Sequence, residues 1–126
     1  MKRFILILCV FFAMTATAFA ADKAKIAVAS YGNTPASAVS PVAARSSYFL
    51  MFDAKGAFLE AVANPHKNAG GGAGTLSVDF LSVKGVTTVI AGAFGSNMIT
   101  AMKAKGIKSV EFKGTAADAV MKAIRK

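Results

Sequence analysis

Residues 87 to 97 read TTVIAGAFGSN, and this stretch sets the fold class. Thr87 to Ala91 is a short run of β-branched and small apolar residues without polar alternation, the pattern of a strand covered on both faces. Gly92-Ala93-Phe94-Gly95 breaks it, and Ser96 or Asn97 then stands as the cap of a helix. Met98, Ile99 and Met102 give that helix an apolar face, and Gly106 is placed to stop it. Lys108 to Phe112 follows as an edge strand, its lysines and Glu111 discouraging further pairing. A strand, a helix and a second strand in this order form a crossover unit, which requires parallel strands in one sheet.

The sequence on either side extends this unit. Lys25 to Ser30 (KIAVAS) reads as a second buried strand, followed by a loop from Tyr31 to Pro41 rich in Gly, Pro, Ser and Ala. Ser47 to Phe52 and Ala57 to Ala63 flank Asp53-Ala54-Lys55-Gly56 as a hairpin, with Gly56 free to take a positive φ. Asn64-Pro65 ends the second hairpin strand, and His66 to Gly74 (HKNAGGGAG) holds four of the chain's eleven glycines. From Thr75 a helical period begins, with Leu76, Phe80 and Val83 as its apolar stripe and Gly85 as its stop. Near the C-terminus, Thr115 and Asp118 approximate a capping box, and Ala117, Val120, Met121 and Ile124 mark the buried face of a last helix. The expected order is β-β-β-α-β-α-β-α, an α/β fold.

Bulk composition narrows the class. Lys2 and Arg3, the apolar run Phe4 to Met14 and the site Ala18-Phe19-Ala20 have the form of an export signal over residues 1 to 20, so the expected mature domain is residues 21 to 126 and the expected location periplasmic or secreted. That apolar run is shorter than a spanning helix needs, so no stable membrane insertion is expected once the signal is removed. Cys9, the single cysteine, lies inside the signal, and the mature chain offers no thiolate. The remaining length, about 105 residues, suits one hydrophobic core. The full chain carries 15 basic and 6 acidic residues, a charge of +9. Without Lys2 and Arg3 the balance is 13 against 6, or +7, and the lysines are scattered rather than grouped. For an exported chain this favours an anionic small partner over nucleic acid.

Strand direction places the loops. With the first, third and fourth strands parallel, Tyr31 to Pro41, Asn64 to Gly74 and Gly92 to Ser96 all leave the sheet at its carboxyl edge, where open α/β sheets bind ligands. Two helix N-termini share that edge, with unpaired N–H groups and partial positive charge. Gly70, Gly71, Gly72, Gly74, Gly92 and Gly95 leave the backbone bare enough for a bulky anion to approach, and Arg45 and Lys67 add charge. Glycines before helices also serve as plain turn residues, and no G-x-x-x-x-G-K-[ST] phosphate loop is present.

Several segments in register then carry a resemblance: KIAVASYGN (25–33), SPVAARSSYFLMFD (40–53), NPHKNAGGGAG (64–74), VTTVIAGAFGSN (86–97) and KAKGIKSVEFKGTAADAV (103–120). Together they resemble the dinitrogenase iron-molybdenum cofactor biosynthesis family over nearly all of the mature chain. The resemblance implies a ribonuclease H-like fold, a mixed five-stranded sheet in order 3-2-1-4-5 with three helices, and binding or carrying of an anionic iron-sulfur or molybdenum-containing cluster. By position it assigns cofactor contacts to Asn64, Gly72, Gly74, Gly92 and Gly95, with Ser96 beside them. The chain departs from the family pattern at Val42-Ala43-Ala44-Arg45, where many relatives have Phe-Gly-Arg, and at Gly95-Ser96, where many have Gly-Pro.

The remaining chemistry is sparse. His66 is the single histidine and, beside the glycine loop, the candidate metal ligand, although a lone loop histidine is more often simply solvated. Met98 offers a soft thioether or, as with Met51, Met102 and Met121, core packing. Asp53 falls in a turn and Asp79 on a polar helix face, so no strand-end carboxylates gather for two-metal hydrolysis. Ser96 has no base beside it in sequence. The expectation is a cluster-binding protein and not an enzyme. Its competitor is an interaction or scaffold module of the same fold that has lost the ligand.

Overall fold

The computed structural model describes residues 24–125; the expected export signal, residues 1 to 20, and the expected start of the mature domain lie outside the described residues. Three strands come first: β1 (Lys25–Ser30), β2 (Tyr48–Asp53) and β3 (Phe58–Ala63). Helix α1 (Ala73–Val83), β4 (Thr88–Ala91), α2 (Ser96–Lys105), β5 (Lys108–Glu111) and α3 (Ala116–Arg125) follow, and a 3₁₀ turn over Ala43–Arg45 interrupts the first loop. The sheet order is β3-β2-β1-β4-β5. β1 pairs antiparallel with β2 and parallel with β4, β2 pairs antiparallel with β3, and β4 pairs parallel with β5. The mixed five-stranded sheet with three helices, of the α/β class, is as expected.

Period-two alternation divides the central strands between two cores. Ala27, Ala29, Phe49, Met51, Val89 and Ala91 face α1 and α2, where Val78, Leu81, Met98 and Met102 meet them. Ile26, Val28, Leu50, Phe52 and Ile90 point the other way, onto Ala116, Ala119 and Val120 of α3. Because both faces are covered, β1, β2 and β4 read as unbroken apolar runs. The hairpin behaves as the sequence requires, with Gly56 at φ 91° and Asp53 Oδ1 accepting from the Lys55 and Ala57 N–H groups at 2.9 Å each.

Three local expectations are corrected. On α1 the buried face is Ala73, Ser77, Val78 and Leu81, while Leu76 is 39% and Val83 89% exposed. Val78 and Leu81 fill the core, while Gly74 and Ser77 stand where α1 passes close to Met98 of α2 and to the 3₁₀ turn and a bulky side chain would not fit. On α3 the expected Val120 is buried, but its companions are Ala116 and Ala119, which pack on the opposite face of the sheet, and Met121 is half exposed. The N-cap of α2 is Gly95, so Ser96 is the first helical residue and supplies no cap.

Candidate functional site

The carboxyl ends of β1, β3 and β4 point the same way, and the three loops leaving them meet at the 3₁₀ turn. From the β1 loop, Ser40 donates its N–H to Ala29 and accepts the Gly92 N–H, both at 2.8 Å. Ala43 N–H donates to the Ala93 carbonyl at 3.1 Å, which ties the turn to the β4 loop. The β3 loop is held by Asn64, only 7% exposed, whose Nδ2 donates to the Ala44 and Ser46 carbonyls at 3.0 Å each. Its Oδ1 accepts the His66 N–H at 3.0 Å. Arg45 Nη1 donates to the Lys67 and Ala69 carbonyls at 3.1 and 2.8 Å, and Lys67 Nζ donates to Ser47 Oγ at 3.1 Å. Asn64, Arg45 and Lys67 thus clamp the glycine loop to the turn.

The glycines divide into two kinds. A Cβ on Gly74 would stand 3.0 Å from Met98 Cβ and 3.2 Å from its nitrogen, and one on Gly92 would stand 2.8 Å from Pro41 Cα. Both positions are needed for close backbone approach, Gly74 between α1 and α2 and Gly92 between the β4 and β1 loops. Gly70, Gly71, Gly72 and Gly95 border open space, and Gly72 takes φ 69° as the residue before α1.

The Gly74–Met98 contact brings the first turns of α1 and α2 together. Neither helix has a side-chain cap, and neither has an acidic residue in its first turn. Their first internal bonds are Leu76 N–H to Gly72 and Ile99 N–H to Gly95, both 3.0 Å, so the preceding amides have no partner within the helix. Helix α3 is built differently. Its Ala116 and Ala117 N–H groups donate to Ser37 and Pro35 carbonyls at 2.9 Å, Asp118 N–H donates to Thr115 Oγ1 at 3.2 Å, and Asp118 itself offsets the dipole. Two adjacent helix starts are left as donors and the third is closed. Each open end is equivalent to about half a positive charge.

Beside this rim, on the α3 side, a cleft of about 570 Å³ lies between the β1 loop, Gly92-Ala93 and Phe112 to Thr115, lined mainly by small apolar residues with Lys113 as its cation. His66 is turned elsewhere. Its ring packs edge-on against Phe80 of α1 at 6.3 Å, beside a shallow groove with Asp79 and Lys84. Among the described residues no three His, Cys, Asp or Glu side chains gather as a metal site. Met98 is 1% exposed and belongs to the core. Asp79 sits on the exposed side of α1, 3.7 Å from Lys105.

The match to known proteins now has a structural counterpart. The model of the dinitrogenase iron-molybdenum cofactor family matches residues 23–126. The chain belongs to that family. Among solved structures, the apo form of the orange protein from Desulfovibrio gigas is 28% identical with a TM-score of 0.76, over 80% of this chain and 87% of that one. A candidate NifB protein from Thermotoga is 35% identical with a TM-score of 0.66, over 76% and 83% of the two chains. The protein PH0822, 24% identical over 80% and 90% with a TM-score of 0.67, shares the fold. No curated protein matches. Membership of the dinitrogenase cofactor family connects the chain with the handling of metal clusters, and the positions that resemblance singles out all fall on the rim or directly behind it.

What the sequence did not reveal is the joint itself. The 3₁₀ turn supplies Ala44 O, which accepts from Asn64 Nδ2 and, at 3.5 Å, from Ser77 Oγ. Ser40-Pro41 ahead of Val42-Ala43-Ala44-Arg45 is the available signal, since a serine hydroxyl can bond the backbone two residues on, as Ser40 Oγ accepts the Val42 N–H at 3.4 Å.

Proposed function

We propose that this protein binds and carries an anionic metal cluster of the iron-sulfur, iron-molybdenum or molybdenum-copper type, docked on the rim where α1 and α2 begin. The observation that carries this reading is the convergence of two uncapped, acid-free helix starts beside a glycine loop. Backbone N–H donors in such an arrangement recognise a negatively charged, polarizable surface without needing a side chain of fixed shape. The donor set also limits what the guest can be. With no cysteine beyond Cys9 and no grouped ligands among the described residues, the protein is suited to a cluster already complete in its own inorganic ligands. Binding then rests on charge, amide hydrogen bonds and shape. The single histidine, His66, packs against Phe80 beside a separate groove and takes no part in this docking. Nothing in this reading calls for bond making, and carriage rather than catalysis is the role.

The strand order, with helices on both faces, supports placing the domain in the ribonuclease H-like class. Residues 1 to 20 support export, and we place the mature protein, residues 21 to 126, in the periplasm or outside the cell. Among the described residues no helix is long and apolar enough to cross a membrane.

Protein isolated from an anaerobic, metal-replete culture tests the proposal. The expected result is a coloured species with stoichiometric metal by elemental analysis and a higher melting temperature than the metal-free form. A ligand bound only by the native state adds about 2.7 kcal/mol at a hundredfold excess over its dissociation constant. Colourless, metal-free protein whose melting temperature ignores added cluster and thioanions would instead support a scaffold module that has lost its ligand. N-terminal sequencing of the same sample should begin at Ala21.

A further inference from the structure

The two carbonyls gripped by Arg45 fix more than the position of the loop. The described chain contains no cis peptide bond, and in a trans peptide the carbonyl and the following N–H point in opposite directions. Arg45 Nη1 draws the Lys67 carbonyl at 3.1 Å and the Ala69 carbonyl at 2.8 Å toward itself. The N–H groups of Asn68 and Gly70 are therefore turned to the side away from the guanidinium. Neither meets an acceptor among the described residues, whereas the intervening Ala69 N–H is used internally, donating to His66 at 3.2 Å. Asn68 and Gly70 are both exposed, and Gly70 has no neighbour within 4 Å of an added Cβ, so no other segment packs against that side of the loop. Lys67, the other cation of the loop, donates to Ser47 Oγ, a neutral acceptor that leaves its charge in place.

We propose that the Asn68 and Gly70 backbone amides are anion ligands of this site, and that Arg45 acts as the residue that orients them and not as a direct charge partner of the anion. The proposal rests on the anion-binding reading above and names two further contacts within it. It follows from the two N–H bonds of Nη1, which lie at a fixed angle in the guanidinium plane and reach one carbonyl each; an ammonium, a compact, freely rotating donor on a flexible stem, does not hold that geometry.

The test uses ¹⁵N-labelled protein as processed by the cell, titrated with molybdate and with tetrathiomolybdate as probes, in the wild type and in Arg45→Lys and Arg45→Gln. In the wild type the Asn68 and Gly70 amide resonances should move on titration. Both variants should lose about tenfold in affinity, the loss persisting at high salt, because what is removed is geometry worth about one charge-assisted hydrogen bond. Hydrogen exchange at Asn68 and Gly70 should rise in both, with the melting profile showing that the fold is kept. Full affinity in Arg45→Lys overturns the proposal, since charge alone would then suffice. Movement of Ser96 and Asn97 without Asn68 and Gly70 also overturns it, while leaving the helix-start site intact. Wild-type protein that binds neither probe overturns both the site and this extension.

Discussion

Gly74 and Met98 lie so close that a β-carbon on the glycine would sit 3.0 Å from that of the methionine. This contact sets the distance between the two helices whose first turns form the rim. Gly74→Val should therefore act first on stability, costing about 1 to 3 kcal/mol as overpacking between α1 and α2. Thermal and urea unfolding would show it. A variant as stable as the wild type would mean that the helices part without cost, and their convergence would then be no basis for a preformed site.

Gly95 makes the complementary case, because an added Cβ there meets nothing and φ is an ordinary −72°. Gly95→Ala should leave stability within about 1 kcal/mol, the range of N-cap exchanges. Tetrathiomolybdate affinity, followed by absorbance, should nevertheless fall if the anion approaches the α2 backbone. Unaltered affinity would remove the α2 start from the site.

Asn64 predicts an asymmetry between two conservative-looking changes. Its amide satisfies two carbonyls and one N–H while 7% exposed. Asn64→Ala leaves these groups unpaired at a cost of about 1 to 3 kcal/mol. Asn64→Asp should be worse, since it sets a buried carboxylate against the Ala44 and Ser46 carbonyl oxygens. Equal unfolding midpoints for Asp and Asn would contradict this hydrogen-bond assignment.

Lys67 separates charge from structure. Its side chain is exposed and holds only Ser47 Oγ, so Lys67→Ala should barely change stability, in keeping with exposed polar contacts. Its effect on anion affinity should be visible at low salt and vanish as ionic strength rises. A loss that is insensitive to salt would show that Lys67 orders the loop instead of attracting the anion.

The sheet directions and the meeting of three loops at one edge were legible in the sequence because each follows from a periodicity or a connection rule, whereas the strand order 3-2-1-4-5 came with the resemblance to the family. KIAVAS and TTVIA are uninterrupted apolar runs, which only strands covered on both faces tolerate, and the crossover helices force the parallel directions. The face of α1 was not legible, and that of α3 was legible only at Val120. Leu76 and Val83 outrank Gly74 and Ser77 on any hydrophobic count, yet the helix packs through its small residues because proximity to α2 and the 3₁₀ turn selects for low volume.

The same division runs through the site. Sequence by itself determined that glycines, a few cations and two helix starts would share one rim, since topology fixes which chain ends face the same way. Only the tertiary structure decided which of them hold segments together and which lie open: Asn64, Arg45 and Gly92 are committed to holding backbone together and Gly74 to the approach of α1 and α2, while Gly70, Gly72 and Gly95 remain open. Hydrogen-bond partners and close contacts depend on distances between segments far apart in the chain, and a linear pattern carries no record of those distances.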